Sequence, residues 1–137
     1  MNEVSSREVV ERMFAELLAR DADAFGTLLA PDAVLEIPFP IPGLPTRLEG
    51  REAIREHMAQ RWGGSSCSME VHGIYPQVYE TTDPELVFVE NDVDMTLATG
   101  ERFRTRTSVS AIRVRGGQVV LFRDYMGSAQ TAQPAQS

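Results

Sequence analysis

The sequence predicts one α+β domain in which three N-terminal helices precede a long antiparallel sheet. Two observations support this. Apolar residues recur at helical spacing through the first 61 residues, whereas from residue 68 onward β-branched and polar residues alternate as in strands. The length of 137 residues fits a single domain with its own core.

The first two helices are predicted to form a hairpin. The first spans residues 5–20 and has Ser5 or Ser6 as its cap. The second spans residues 22–30, with Asp21 as its cap and Pro31 marking its end. The first helix has a wide apolar stripe formed by Val9, Val10, Met13, Phe14, Leu17 and Leu18.

A short strand is predicted at residues 33–37, followed by the proline-rich stretch PFPIPGLPTRLEG. Its four prolines each remove an amide donor and fix φ, which argues against regular structure. Residues 38–45 are therefore expected to form a rim loop or a lid. A third helix is predicted over residues 51–61, with its inward side formed by Ala53, Ile54, His57 and Met58.

Four long strands complete the predicted domain, at residues 68–81, 86–97, 102–114 and 118–126. Residues 128–137 are small and polar and have few apolar side chains, as is typical of a flexible tail. The sequence therefore predicts one domain over residues 1–127 and a tail after it.

The composition argues against several classes of partner. There are 20 acidic residues and 13 basic ones, all of the latter arginine, and the net charge is -7 with no basic run. A surface of this kind is a poor match for nucleic acid or for an anionic membrane. The single cysteine, Cys67, cannot form an internal disulfide, so a reducing cytoplasm is expected.

Local sequence resembles a known superfamily. The run AVLEIPF followed by GREAIREHM resembles ketosteroid isomerases, and VVLFRDYMG is similar to the last strand of SnoaL-like polyketide cyclases and limonene-1,2-epoxide hydrolases. This resemblance to the SnoaL-like, nuclear-transport-factor-like superfamily covers residues 5–127. It implies a cone-shaped, curved mixed or antiparallel sheet, a cystatin-like α+β roll whose helices cover a pocket for a small, largely apolar molecule.

The resemblance favours some chemistries over others. The three catalytic positions of ketosteroid isomerases fall on Ile37, Ser110 and Glu16, none of which matches that mechanism. The last-strand acid of the epoxide hydrolases falls on Asp124 and their earlier acid on Asp94, although their bridging arginine falls on Asp92. SnoaL-like cyclases also place a key carboxylate near Asp124.

Strand alternation suggests how these residues meet. A two-residue turn at Thr99 and Gly100 would set Asp94 opposite Thr105, whereas a three-residue turn from Ala98 sets it opposite Arg104. The longer turn pairs opposite charges and is favoured. With a similar turn at residues 115–117, Asp124 would face Ser108. One face would then carry Glu90, Asp92, Asp94, Arg104, Arg106, Ser108, Ser110, Asp124 and Met126.

This constellation predicts acid–base chemistry without a cofactor or a metal, because the two histidines lie at no ligand spacing. Asp124 would transfer a proton, and Asp94, with Asp92 nearby, would be the partner acid. Arg104 and Arg106 would set the charge states of these acids or stabilise a developing oxyanion. The substrate would be a small hydrophobic, polyketide-like metabolite. Its pocket would be lined by Ile37, Phe39, His57, Met58, Trp62, Tyr79, Ser108, Ser110, Phe122 and Met126.

Two alternatives stay open. The charged row is equally typical of a solvated strand face with surface ion pairs, and the domain could be a non-catalytic binding or accessory module. A homodimer is also expected, because the apolar face would otherwise be exposed. That face is predicted to carry Val87, Val89, Val93, Met95, Val109 and Ala111.

Overall fold

Within the described residues, three helices pack on one face of a six-stranded sheet. The computed structural model describes residues 5–40, 42–63 and 70–126. The helices are α1 (Ser6–Ala19), α2 (Ala22–Thr27) and α3 (Arg51–Gly63). The strands are β1 (Leu29–Glu36), β2 (Arg47–Glu49), β3 (Glu70–Glu80), β4 (Leu86–Thr96), β5 (Arg102–Arg115) and β6 (Gln118–Met126).

The sheet is mixed, with the strand order β2-β1-β6-β5-β4-β3. Strand β1 runs parallel to β6, and the other neighbours are antiparallel. The predicted α+β architecture is confirmed. No helix in the described part of the chain is long and apolar enough to cross a membrane. The predicted tail, residues 128–137, lies outside the described residues.

The helix starts were predicted correctly. Ser5 caps α1 through a capping box with Glu8, and the side chain of Asp21 accepts a hydrogen bond from the Ala24 amide at 3.0 Å. From α1, Val9, Val10, Met13 and Phe14 are buried in the core. They pack with residues of the other elements, among them Phe25, Leu29, Leu35, Ile54, Val87, Val89, Ile112, Val119 and Phe122.

The bounds of α2 and β1 differ most from the prediction, and β1 begins at Leu29 instead of residue 33. Helix α2 ends at Thr27 because the Leu28 carbonyl accepts a hydrogen bond from the Val119 amide at 2.8 Å, which starts the pairing of β1 with β6. The short strand β2 was missed. It follows the last proline of the stretch, so the prolines prevent regular structure only as far as Pro45.

The two faces of the sheet have different chemistry. We call the side covered by the helices the inner face and the other side the outer face. The inner face carries the buried residues Val87, Val89, Asn91, Met95, Ser110, Ile112 and Phe122. Most of the predicted exposed apolar patch is therefore core, and the rationale first given for a dimer is wrong.

A bulge in β5 changes which residues of this strand lie on the same face. Asn91 pairs with Ser108, but the next residue, Asp92, pairs with Arg106, so Thr107 is an extra residue in β5. The bulge reverses the alternation. Arginines at 102, 104 and 106 therefore lie on the outer face, although Ser108 and Ser110 lie on the inner face.

Candidate functional site

Asp124 lies on the inner face of β6 and is half-buried. It pairs with Ser110 of β5, two residues from the predicted partner Ser108. The predicted three-residue turn is in fact a two-residue turn at Gly116 and Gly117, whose φ values are 61° and 79°, and a register shift follows it. The pairing partner therefore differs from the prediction, but Asp124 shares a face with both serines, as predicted.

A hydrogen-bonded chain of polar side chains leads to Asp124. The Ser110 hydroxyl, which is 0% exposed, donates to Asp124 Oδ1 at 3.3 Å. Asn91 of β4, which is 3% exposed, donates through Nδ2 to Ser110 Oγ at 3.2 Å and to Ser108 Oγ at 3.0 Å. Three neighbouring strands therefore contribute to one polar cluster inside an otherwise apolar face.

Several of the predicted pocket residues are apolar and buried. Phe122, on the same face of β6, meets Phe14 of α1 edge to face with ring centroids 6.3 Å apart. Ile37 and Met58 are buried, and His57 of α3 is half-buried beside Met58. The side chains of Trp62 and Met126 lie outside the described part of the structure.

The predicted charged row lies on the opposite side of the sheet from Asp124. Asp92 faces Arg106 and Asp94 faces Arg104, which confirms the longer turn at residues 98–100. The predicted grouping of Asp92, Asp94, Arg104 and Arg106 with Asp124 is nevertheless wrong, because the bulge at Thr107 puts the arginines on the opposite face from Ser108 and Ser110. The alternative reading, a solvated face with surface ion pairs, is correct.

Ion pairs organise this outer row. Arg106 Nε lies 2.9 Å from Asp92 Oδ1, and Arg102 lies 3.0 Å from Asp94 Oδ2. The hydrogen bonds from Arg102 lower the pKa of Asp94. Asp94 is therefore a carboxylate at neutral pH, with no proton to donate.

Two predicted pocket residues also lie elsewhere. Tyr79 is 48% exposed on the outer face and donates a hydrogen bond to Glu90 at 3.0 Å, which raises the pKa of the tyrosine. Phe39 is 54% exposed and meets the ring of Tyr125 at 5.8 Å. Tyr125 points away from Asp124, as regular strand alternation predicts.

Two cavities are lined by described residues. The first, of about 880 Å³, lies between the start of α1 and the turns around Glu85 and Gly116. The second, of about 390 Å³, lies beside Glu36, Arg123 and Tyr125. Asp124 lines neither of them, so the cavity expected around it stays a prediction.

The described side chains can do acid–base chemistry but form no metal site. No group of three His, Cys, Asp or Glu residues in the described ranges could hold a metal ion. A carboxyl group held by a buried hydroxyl in an apolar setting can accept and return a proton.

Asn91 was missed by the sequence reasoning. The acids on either side of it, Glu90 and Asp92, drew attention to the charged row. The sequence did carry one indication. Asn91 alternates in step with Val89 and Val93, so a polar amide interrupts a row of apolar residues that face inward.

The chain is similar to several known proteins. Over 122 residues it is 32% identical to an uncharacterized PhzA/B-like protein of Pseudomonas aeruginosa, which covers 89% of this chain and 84% of that protein. The solved structure of a candidate isomerase from Bacillus subtilis is 27% identical, with a TM-score of 0.77, and the match covers 91% of this chain and 88% of that one.

Two further solved structures share the fold. One is the epoxide hydrolase/cyclase-like enzyme SalBIII, which has a role in pyran-ring formation in the polyether salinomycin. It is 21% identical, with a TM-score of 0.68 and coverage of 91% and 92% of the two chains. The other is a computationally designed binder of 17-OHP, at 16% identity, a TM-score of 0.69 and coverage of 93% and 97%.

A family model confirms the relationship that the last strand and the third helix suggested. The model for the SnoaL-like domain matches residues 10–122, from α1 through to Phe122 of β6, the strand that carries Asp124. This chain belongs to the SnoaL-like domain family.

Proposed function

We propose that this protein is a cofactor-independent acid–base enzyme that acts on a small hydrophobic, polyketide-like metabolite, with Asp124 as the group that transfers the proton. The observation that carries the proposal is the hydrogen bond from the fully buried Ser110 hydroxyl to Asp124 Oδ1 at 3.3 Å. Its place on the helix-covered face contrasts with that of Asp92 and Asp94, which pair with arginines on the outer face.

The chemistry fits a carboxyl group on an inner face that is made mostly of apolar side chains. Ring closure of an epoxy alcohol needs a proton taken from the attacking hydroxyl and a proton given to the epoxide oxygen. Migration of a double bond next to a ketone needs a proton taken from one carbon and returned to another. One carboxyl group can perform either exchange in turn. The relatives described as an isomerase and as an epoxide hydrolase/cyclase-like enzyme support these two reaction types.

Asp124→Asn tests the proposal, because asparagine keeps the shape of the side chain but cannot exchange a proton. Two probes represent the two reactions, a 4,5-epoxy alcohol and a β,γ-unsaturated ketone, and product formation is followed by NMR. We expect the wild type to convert one probe and the variant to lose about 10²- to 10⁴-fold in rate. Asp92→Asn, the same change on the outer face, is the matched control.

A variant that keeps more than about a tenth of the wild-type rate would rule out the assigned role of Asp124. Wild-type protein that binds both probes, as seen by a raised melting temperature, but converts neither would favour the rival function. That rival is a non-catalytic binding module, and the designed 17-OHP binder supports it because the same fold there serves binding.

The proposal includes a homodimer that forms through the outer face of the sheet. The outer face exposes Tyr75, Tyr79 and Phe88 beside an acidic row on β4 and an arginine row on β5. Two such faces related by a two-fold axis can place the acids of one copy over the arginines of the other.

A further inference from the structure

The direction of the polar chain Asn91–Ser110–Asp124 follows when Asp124 is ionised, because a carboxylate only accepts hydrogen bonds. A serine hydroxyl carries one hydrogen, and that of Ser110 is donated to Asp124 Oδ1, so Ser110 Oγ must accept from its other neighbour. Asn91 supplies that donor through Nδ2 at 3.2 Å. The amide nitrogen of Asn91 therefore faces the serines, and the hydrogen of Ser110 is directed at the carboxyl group.

Burying Asn91 leaves one of its polar atoms without a hydrogen bond from the described residues. Its Oδ1 is buried and receives no hydrogen bond from the part of the chain that the structure describes. A buried acceptor without a partner destabilises a fold, and an apolar residue of similar shape would avoid that penalty. Packing alone would therefore favour an apolar residue at this position.

We propose that Ser110, held by Asn91, is a positioning residue that orients the Asp124 carboxyl group for proton transfer. The inference rests on the proposed function of Asp124 and adds two residues to it. Asn91 and Asp124 lie on strands that are separated by β5, yet both touch the same hydroxyl. A change at Asn91 can therefore reach Asp124 through Ser110.

The other groups that face Asp124 must be held constant in any test. From β5, Ser108 and Ser110 are uncharged. From β6, Phe122 shares the inner face, whereas Arg123 lies on the outer face with Glu36. On the inward side of α3 the titratable side chain is His57, whose Nε2 is buried.

Ser110→Ala tests the inference by a readout that needs no substrate. The side-chain carboxyl carbon of Asp124 is followed by ¹³C NMR as a function of pH, and its signal is assigned by its loss in Asp124→Asn. A hydrogen bond donated to a carboxylate favours the charged form, so removing it should move the titration midpoint to higher pH. The measurement is repeated in a His57→Gln background to separate the effect of the imidazole.

Ser108→Ala is the matched control, because Ser108 also accepts from Asn91 Nδ2, at 3.0 Å, but pairs with Met126 of β6 instead of Asp124. It should leave the midpoint unchanged. Asn91→Leu should shift the midpoint in the same direction as Ser110→Ala, and the double variant no further than Ser110→Ala alone. If Ser110→Ala does not fold, Ser110→Cys, whose thiol is a weak donor, gives the same test.

Kinetics on the probe that the wild type converts provide a second readout. Ser110→Ala should lower kcat roughly ten- to a hundredfold with little change in KM, because misplacing a reacting group acts on the chemical step. An unchanged titration midpoint in Ser110→Ala, or shifts that add in the double variant, would overturn the inference. Failure of the proposed function would give a different result. Ser110→Ala would still shift the midpoint, but Asp124→Asn would remain active.

Discussion

Arg106 and Asp92 face each other across β4 and β5, with Arg106 Nε donating to Asp92 Oδ1 at 2.9 Å. The pair lies on the outer face, on the far side of the sheet from Asp124. Arg106 Nη1 also lies 3.4 Å from Glu90 Oε1. These acids are therefore neutralised by arginines and separated from the proposed site by the sheet itself.

The separation of the two faces gives the first prediction. Asp92→Asn and Asp94→Asn should each keep turnover within about twofold of the wild type, because surface substitutions remote from a site have small effects. Turnover of the probe by each variant is compared with that of Asp124→Asn. A loss with Asp94→Asn as large as with Asp124→Asn would mean that the two carboxyl groups act together.

The outer face gives a prediction about assembly. Light scattering should report about twice the chain mass of 15.2 kDa. Tyr79→Glu, which adds charge beside Glu90, should shift the mass toward that of one chain, and Glu101→Gln, in the turn after β4, should not. A wild-type mass near 15.2 kDa would rule out the dimer.

The pH dependence of stability should reflect the ion pairs of Glu85. Hydrogen bonds from Arg115 lower the pKa of Glu85 below its ordinary value of 4.5. A lowered pKa in the folded state adds stability above pH 4.5, and that stability is lost as the pH falls through the folded-state value. The difference in melting temperature between wild type and Glu85→Gln should therefore be largest near neutral pH and shrink in acid.

Glu101→Gln is the matched control for this measurement, because Glu101 is an exposed glutamate at the turn between β4 and β5. Its melting temperature should follow the wild type throughout. A difference for Glu85→Gln that stays constant from neutral pH to well below 4.5 would contradict the assigned pairing.

The two-residue turn before β6 gives a prediction about strain. Gly117 has φ of 79°, and a side chain added there would meet nothing within 4 Å, so only the backbone conformation opposes substitution. Gly117→Ala should reduce the free energy of unfolding by about 1–2 kcal/mol. Gly117→Asn should reduce it less, because asparagine tolerates positive φ. Urea unfolding measures both, and equal losses would contradict a backbone origin.

The elements of the fold could be predicted where local signals decide them. The caps at Ser5 and Asp21, the helix periods and the long alternating strands each depend on a few neighbouring residues. Strand β2 was missed because it follows prolines that argue against any strand until Pro45. Its formation depends on pairing with residues 34–36, which lie outside a short sequence window around β2.

The candidate site could be predicted only in part, because it depends on register. Asp124, Ser108 and Ser110 were placed together correctly, since no bulge separates the two serines. The arginines were placed with them wrongly, because a bulge at Thr107 is a tertiary feature that leaves no clear sign in the alternation. Asn91 was hidden by the same error, which assigned its strand's acids to the inner face.

The extra residue at Thr107 also affects how this chain is compared with its relatives. A relative whose β5 lacks the bulge has one residue fewer between the turn and the serines, so a gap-free alignment would match inward positions to outward ones on one side of it. Such an alignment would match Arg106 of this chain to a pocket residue of the relative. It would also match a pocket residue of one chain to a solvent-exposed charge of the other. Transferring functional residues to a relative of that kind therefore requires a one-position gap at Thr107, placed by strand pairing instead of by residue similarity.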